Sequence, residues 1–313
     1  MYLNKVIKRS LVAVCASLGS LAITNPALAG DLPIGSKDDP LRVMMIPADT
    51  GGADVTEDYK PVFDAIADEF GIHFELKAGS SYAAVVKGLC AEQTDLAWYG
   101  AVTFGQANDL CGAELLAVDV KKGESVYFSG IYVARDSKLN TLADLKGKSL
   151  AVGSVSSTSS FNFPMAMIIN ANIDPVKDLS KIVIAGSHTN SIAALKEGRV
   201  DAAAASFNSW EKAVNNGIID PSKFKVLAKS EPIPNPPMAM NKNLSPELKA
   251  KLRKAFNNIH KHVSAEKIRG YGGKKVDRYD ADYPQEKMLA VLKKLSQVTD
   301  DLKREIVDKA GER

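Results

Sequence analysis

Five consecutive hydroxyl residues, Ser156-Ser157-Thr158-Ser159-Ser160, lie between a strand-like run, Ser149 to Val152, and a helix-like run, Phe161 to Asn170. A strand that turns straight into a helix leaves several backbone N–H groups unpaired, and Ser or Thr there adds rotatable O–H donors at the positive end of the helix dipole. The chemistry on offer is an oxyanion cradle, set against the plainer role of hydroxyls that cap a helix and fill a turn. Similar chemistry recurs at Pro47 to Thr56, Ala78 to Tyr82, Tyr99 to Thr103, Gly186 to Asn190 and Ser206 to Asn208. Each loop offers Ser, Thr, Tyr, His, Asn or Gly, and outside the first none holds Lys, Arg, Asp or Glu. Neutral donors at helix starts suit a small anion that is later released, whereas fixed cations hold any anion more tightly and less selectively.

Covalent and metal chemistry fail at their first requirement. Gly153-Ser154-Val155-Ser156-Ser157 lacks the second glycine of a nucleophile elbow. Gly147-Lys148-Ser149 ends like a phosphate loop, but Leu142 stands where the other glycine belongs, and no GxGxxG occurs. His260 and His262 are two apart on a predicted helix and point to different faces. His188 has no acidic residue in its loop to orient it as a base. The expectation is therefore no catalytic residue, no metal and no cofactor, with a phosphoryl hydrolase as a minor alternative.

The elements that must carry these loops alternate. Leu41 to Ile46 reads as a strand, Thr56 to Phe70 as a helix with Val62, Phe63, Ile66, Ala67 and Phe70 on one face, and Ile72 to Leu76 as a strand. Helix 81 to 90, strand Leu96 to Trp98, helix 101 to 110 and strand Leu115 to Val118 follow. A second series holds strand Ser149 to Val152, helix Phe161 to Asn170, strand Lys181 to Ala185, helix Ser191 to Glu197, and strands Asp201 to Ala205 and Lys225 to Ala228. Such alternation implies α/β lobes with mostly parallel sheets. Val126 to Arg135 and the proline-rich Pro232 to Met240 are extended crossings between the two series, the pattern of a hinge and a cleft. The tail, Ser245 to His262 and Gln285 to Ala310, reads as helical and is expected on the first lobe. Ligands of open α/β sheets bind where strands lead into helices, which is where the hydroxyl loops lie.

Lys5, Lys8 and Arg9 precede an apolar run from Leu11 to about Ile23, then Ala27-Leu28-Ala29. This is the pattern of a cleaved export leader over residues 1–29. The chain has 40 basic and 37 acidic residues, and loss of the three leader cations leaves the remainder formally neutral. Neutrality argues against a nucleic-acid or membrane-surface role. Cys90 and Cys111 remain as an even pair in an oxidising compartment, which suggests a disulfide, with two buried thiols as the alternative.

Asp95-Leu96-Ala97-Trp98-Tyr99-Gly100, Ser157-Thr158-Ser159, and Gly186-Ser187-His188 followed by Ala193, Leu195, Lys196, Gly198, Val200 and Asp201 resemble the phosphate/phosphite/phosphonate-binding proteins of ABC importers, the PhnD-like family. The resemblance runs from about Leu41 to about Asn243. It implies an α/β, two-lobed type II periplasmic binding protein fold with an interlobe ligand cleft and a two-strand hinge, lobe 1 being 30–131 with 235–313 and lobe 2 being 132–234. It also implies that the chain presents a small phosphorus oxyanion to an inner-membrane ABC permease, and a monomer is expected. Carried over by position, the ligand contacts would be Tyr82, Tyr99, Ser157, Thr158, Ser159 and His188; Thr50 and Asp49 are further candidates by their place in the first loop, although Asp49 repels a dianion unless it accepts the proton of a monoprotonated one. Members of the family that bind aminoethylphosphonate place carboxylates where this chain has Asn208 and, approximately, Pro236. An ammonium buried without a carboxylate is costly, so phosphite or a short amine-free phosphonate such as methylphosphonate is expected. Aminoethylphosphonate, hypophosphite and phosphate are the rival ligands, and a sensor or structural module is a further rival role.

Overall fold

A computed structural model describes residues 34–49 and 55–311. The leader at 1–29 and Thr50 therefore lie outside the described residues. In chain order the first lobe begins with β1 (Leu41–Met45), α1 (Val55–Phe70), β2 (Phe74–Ala78), α2 (Tyr82–Cys90), β3 (Leu96–Trp98), α3 (Ala101–Cys111) and β4 (Glu114–Val120). The chain crosses through β5 (Val126–Tyr127) into β6 (Ser129–Ala134), β7 (Ser149–Val152), α4 (Phe163–Asn170), β8 (Lys181–Ile184), α5 (His188–Lys196), β9 (Ala202–Ser206), α6 (Phe207–Asn215) and β10 (Phe224–Lys229). It returns through β11 (Ile233–Pro234) to β12 (Met238–Met240), α7 (Pro246–Asn258), β13 (Arg278–Asp280), α8 (Gln285–Lys294) and α9 (Asp300–Gly311).

Two sheets result, ordered β13-β4-β12-β3-β1-β2 and β10-β6-β9-β7-β8. The local reasons are plain in the residues. Leu41, Val43 and Met45 of β1 are buried while Arg42 is exposed, the alternation of a strand with one apolar face. Val55, Tyr59, Val62, Phe63 and Ile66 form the buried stripe of α1. Strand β9 is four alanines and a serine, all buried, and a strand covered on both faces has no polar side.

The two crossings meet as a short antiparallel ribbon that pairs Ile233 with Tyr127 and Pro234 with Val126. A two-stranded ribbon tolerates Pro234 because a missing N–H breaks no continuous ladder. The sheets are less parallel than the alternation suggests. β12 runs antiparallel to both β3 and β4, and β6 antiparallel to β9 and β10. Both are continuations of the crossing segments, so each enters its sheet against the direction of the resident strands. The tail also differs from expectation. α7 packs on β4 and β13 and α8 on α3, but α9 packs on β8 of the second sheet. There the Lys309 ammonium donates to Val176 O and, at 2.6 Å, to Leu179 O.

Cys90 and Cys111 are bonded, with Cα atoms 5.4 Å apart. The bridge joins the last residues of α2 and α3, whose first residues face the cleft.

Candidate functional site

Between the lobes lies a cavity of about 10 Å³ whose wall includes Tyr82, Trp98, Gly100, Tyr127, Ser157, Thr158, Ser159, His188, Pro236 and Tyr271. That is about the room a single water needs. Four helix starts converge on it. Tyr82 opens α2, Gly100 precedes α3, Ser157 to Ser159 lead through a π-type turn (Thr158–Asn162) into α4, and His188 opens α5. Each contributes the partial positive charge of unpaired N–H groups at a helix N-terminus. Pro164, within the first turn of α4, has no N–H to leave unpaired there.

The hydroxyl run is divided by its bonding. Ser157 Oγ accepts from Ser160 N at 3.1 Å and from Ser160 Oγ at 2.7 Å, which leaves the Ser157 hydrogen to donate. Thr158 Oγ1 accepts from Val102 N, in the other lobe, at 2.9 Å, and keeps its hydrogen in the same way. Ser129 Oγ holds Ser159 through its carbonyl at 2.6 Å, and the Ser159 hydroxyl lies against the Tyr127 phenol. Ser156 gives its carbonyl to Thr103 Oγ1 at 3.1 Å and is not part of the cavity wall.

His188 is 2 % exposed, and Ser206 N donates to its Nδ1 at 2.9 Å. A backbone N–H on Nδ1 requires that nitrogen to be unprotonated, so the neutral ring carries its hydrogen on Nε2. Burial pushes the imidazolium pKa down to about 3, which makes His188 a neutral donor over the physiological range. Two more donors are unspent: Tyr82 Oη and Trp98 Nε1 are buried without a hydrogen-bond partner among the described residues. Orphaned buried donors cost about 1–3 kcal/mol each, a cost that an acceptor in the cavity removes.

Tyr99 and Asn208 are placed elsewhere. Tyr99 donates its hydroxyl to Val85 O at 3.1 Å, inside the first lobe. Successive residues of a strand face opposite sides, and here the indole of Trp98 takes the cleft side. Asn208 donates to Tyr271 O at 3.1 Å and accepts from the Lys274 ammonium at 3.5 Å, a bridge between lobes. Sequence reasoning missed Trp98, Tyr127 and Tyr271 as wall residues. The period of two in β3 points to Trp98, but Tyr271 reaches the cavity only through tertiary folding, its hydroxyl 2.8 Å from both Ser206 Oγ and Ser209 Oγ.

Acidic groups stand behind the wall. Asp49 is buried, with Oδ2 unpartnered among the described residues and Oδ1 3.5 Å from Thr189 Oγ1. Burial pushes its carboxyl pKa up, opposed by Ser209, Lys212 and Thr189. Asp58 accepts from the Lys212 ammonium at 2.6 Å across the lobes, and burial pushes its carboxyl up to about 6 despite that partner. Arranged this way, the wall offers a small anion neutral hydrogen bonds and helix dipoles, with no lysine or arginine side chain in it among the described residues.

A family model described as "ABC transporter, phosphonate, periplasmic substrate-binding protein" matches residues 44–283. The chain is 29% identical over 208 residues to the phosphonates-binding periplasmic protein of Escherichia coli K12, an alignment that covers 65% of this chain and 61% of that protein. It is 27% identical over 261 residues to the phosphate-import protein PhnD of Mycolicibacterium smegmatis, covering 80% and 81% of the two chains. In three dimensions it is similar to PhnD1 of Prochlorococcus marinus in complex with methylphosphonate, with a TM-score of 0.68 at 19% identity over 82% of this chain and 98% of that one. The fold is that of a type II periplasmic binding protein, and the chain belongs to the phosphonate substrate-binding proteins of ABC transporters.

Proposed function

We propose that this chain is exported through its leader, captures phosphite or a small amine-free phosphonate such as methylphosphonate between its lobes, and delivers it to a membrane permease without chemical change. The lobes would be 30–131 with 235–313 and 132–234, α9 excepted. The observation that carries this reading is the interlobe wall in which Tyr82 Oη and Trp98 Nε1 are orphaned and Ser157, Thr158 and His188 each retain a hydrogen. Three phosphoryl oxygens supply enough acceptors for that set. The fourth substituent on phosphorus faces Ile46, Ala48 and Pro236, an apolar patch of the wall that suits H or CH₃ better than OH or an aminoethyl arm. Asn208, the residue at one carboxylate position of amine-binding relatives, is committed to Tyr271 and Lys274. The similarity to a methylphosphonate-bound neighbour supports the same assignment.

Calorimetric titration against phosphite, methylphosphonate, hypophosphite, aminoethylphosphonate and phosphate tests it. Phosphite or methylphosphonate is expected to bind tightest. Tightest binding by aminoethylphosphonate would refute the steric and charge argument at Pro236, and tightest binding by phosphate would require a hydroxyl acceptor such as Asp49 at the substituent.

The placement of β3 makes a paired prediction. Trp98→Phe keeps a ring but removes a hydrogen bond to a charged ligand, a loss of about 1.5–3 kcal/mol or roughly 10–100-fold in affinity. Tyr99→Phe removes a bond to Val85 O and is expected to leave affinity within about threefold while lowering the melting temperature. The reverse ordering would put Tyr99, not Trp98, on the ligand.

A further inference from the structure

The start of α3 has no cap of its own. Gly100 occupies the N-cap position in extended geometry, φ −84° and ψ 168°, and offers no side-chain acceptor. A helix start leaves its first N–H groups without partners, and here the acceptor for Val102 N is Thr158 Oγ1, reached from the opposite lobe at 2.9 Å. A second bond runs beside it, from Thr103 Oγ1 to Ser156 O at 3.1 Å. The lobes meet so closely that a Cβ built on Gly100 would stand 2.8 Å from Thr158 Oγ1 and 3.5 Å from Thr158 Cβ. Gly100 and Thr158 both belong to the cavity wall.

We propose that Thr158 is a cap in trans that couples ligand capture to lobe closure, and that Gly100 is glycine to admit it. The proposal rests on the oxyanion reading above. With its oxygen accepting from Val102 N, the Thr158 hydroxyl turns its hydrogen into the cavity, where an anion accepts it. The anion fixes the rotor that presents the lone pair to α3, and α3 fixes the rotor that presents the hydrogen to the anion. When the lobes part, water takes the place of Thr158 at the α3 start, and the hydroxyl loses its fixed orientation. Ligand affinity and closure therefore share one side chain, and polarisation along the chain from Val102 N–H through Thr158 to the anion strengthens both bonds.

Gly100→Ala removes no donor group and acts only by displacing Thr158 from the α3 start, against which its Cβ would stand. The negative φ of Gly100 suits alanine, so the ligand-free variant is expected to unfold at the wild-type temperature. Its affinity for methylphosphonate or phosphite is expected to fall at least tenfold, with loss of the ligand-induced decrease in radius of gyration seen by small-angle scattering. Thr158→Ser keeps the oxygen and is expected to retain closure, while Thr158→Val, of the same shape, loses both closure and affinity. Wild-type affinity and compaction in Gly100→Ala would overturn the proposal alone. Equal losses in Thr158→Ser and Thr158→Val would overturn it as well. Absence of binding by the wild type to any phosphorus oxyanion would overturn the functional reading and the proposal with it.

Discussion

Ser157→Asp is expected to abolish capture, weakening affinity for phosphite or methylphosphonate by more than about a thousandfold. The reason is the absence of a compensating charge. Among the described residues no lysine or arginine side chain belongs to the cavity wall, so a new carboxylate there would face the ligand directly. Two like unit charges about 4 Å apart repel by roughly 4 kcal/mol at an effective dielectric constant of about 20, and the bound species carries at least one charge. Ser157→Ala supplies the contrast. It removes a donor and the bond from Ser160 N at 3.1 Å, and about 1.5–3 kcal/mol for a hydrogen bond to a charged group corresponds to roughly 10–100-fold. The gap between the two variants, read by calorimetry with circular dichroism to verify folding, separates electrostatics from lost contact. Wild-type affinity in Ser157→Asp would place the anion away from the hydroxyl run.

The second large effect is on stability. Cys90 and Cys111 close a loop of 21 residues in sequence separation, and a crosslink of that span restricts the unfolded chain by about 3 kcal/mol in the chain-entropy model. The double variant Cys90→Ser with Cys111→Ser is expected to melt about 6–12 °C lower, as is the reduced wild type, at about 2–4 °C per kcal/mol. Both half-cystines lie at the ends of α2 and α3 opposite Tyr82 and Gly100, so binding at 25 °C is expected to persist. Calorimetric melting with and without reductant reads the first effect and titration the second. An unchanged melting temperature would mean that packing of α2 on α3 alone holds the pair.

Much of this architecture is legible in the order of the residues. Apolar runs locate β1, β3, β7 and the core face of α1 because those patterns depend on local burial, and the even pair Cys90 and Cys111 is bonded as expected. The hydroxyl run reads as an anion cradle because strand-to-helix turns have a local signature. Two features depend on long-range contacts and carry no such signature. The antiparallel entry of β6 and β12 depends on which lobe a crossing strand comes from, and α9 joins the second sheet through Lys309 and carbonyls more than 100 residues away. α6 begins inside the segment read as a loop at Ser206 to Asn208, although Phe207, Trp210 and Val214 have helical spacing. At the site, family position suggests Tyr99, whereas β3 turns Trp98 to the cleft. Tyr271 carries no motif, and only the fold brings it to Ser206 and Ser209.

The central claim is that the interlobe cavity takes a phosphorus oxyanion on neutral donors. A crystal structure with methylphosphonate bound tests it most directly. Phosphorus density is expected between the lobes, with its oxygens about 2.7–3.2 Å from Ser157, Thr158, Ser159, Tyr82, Trp98 and His188, and the methyl group against Pro236. Density in the larger groove beside α9, lined by Val183, Ile184 and Val307, with the cavity holding no ligand, would contradict the account.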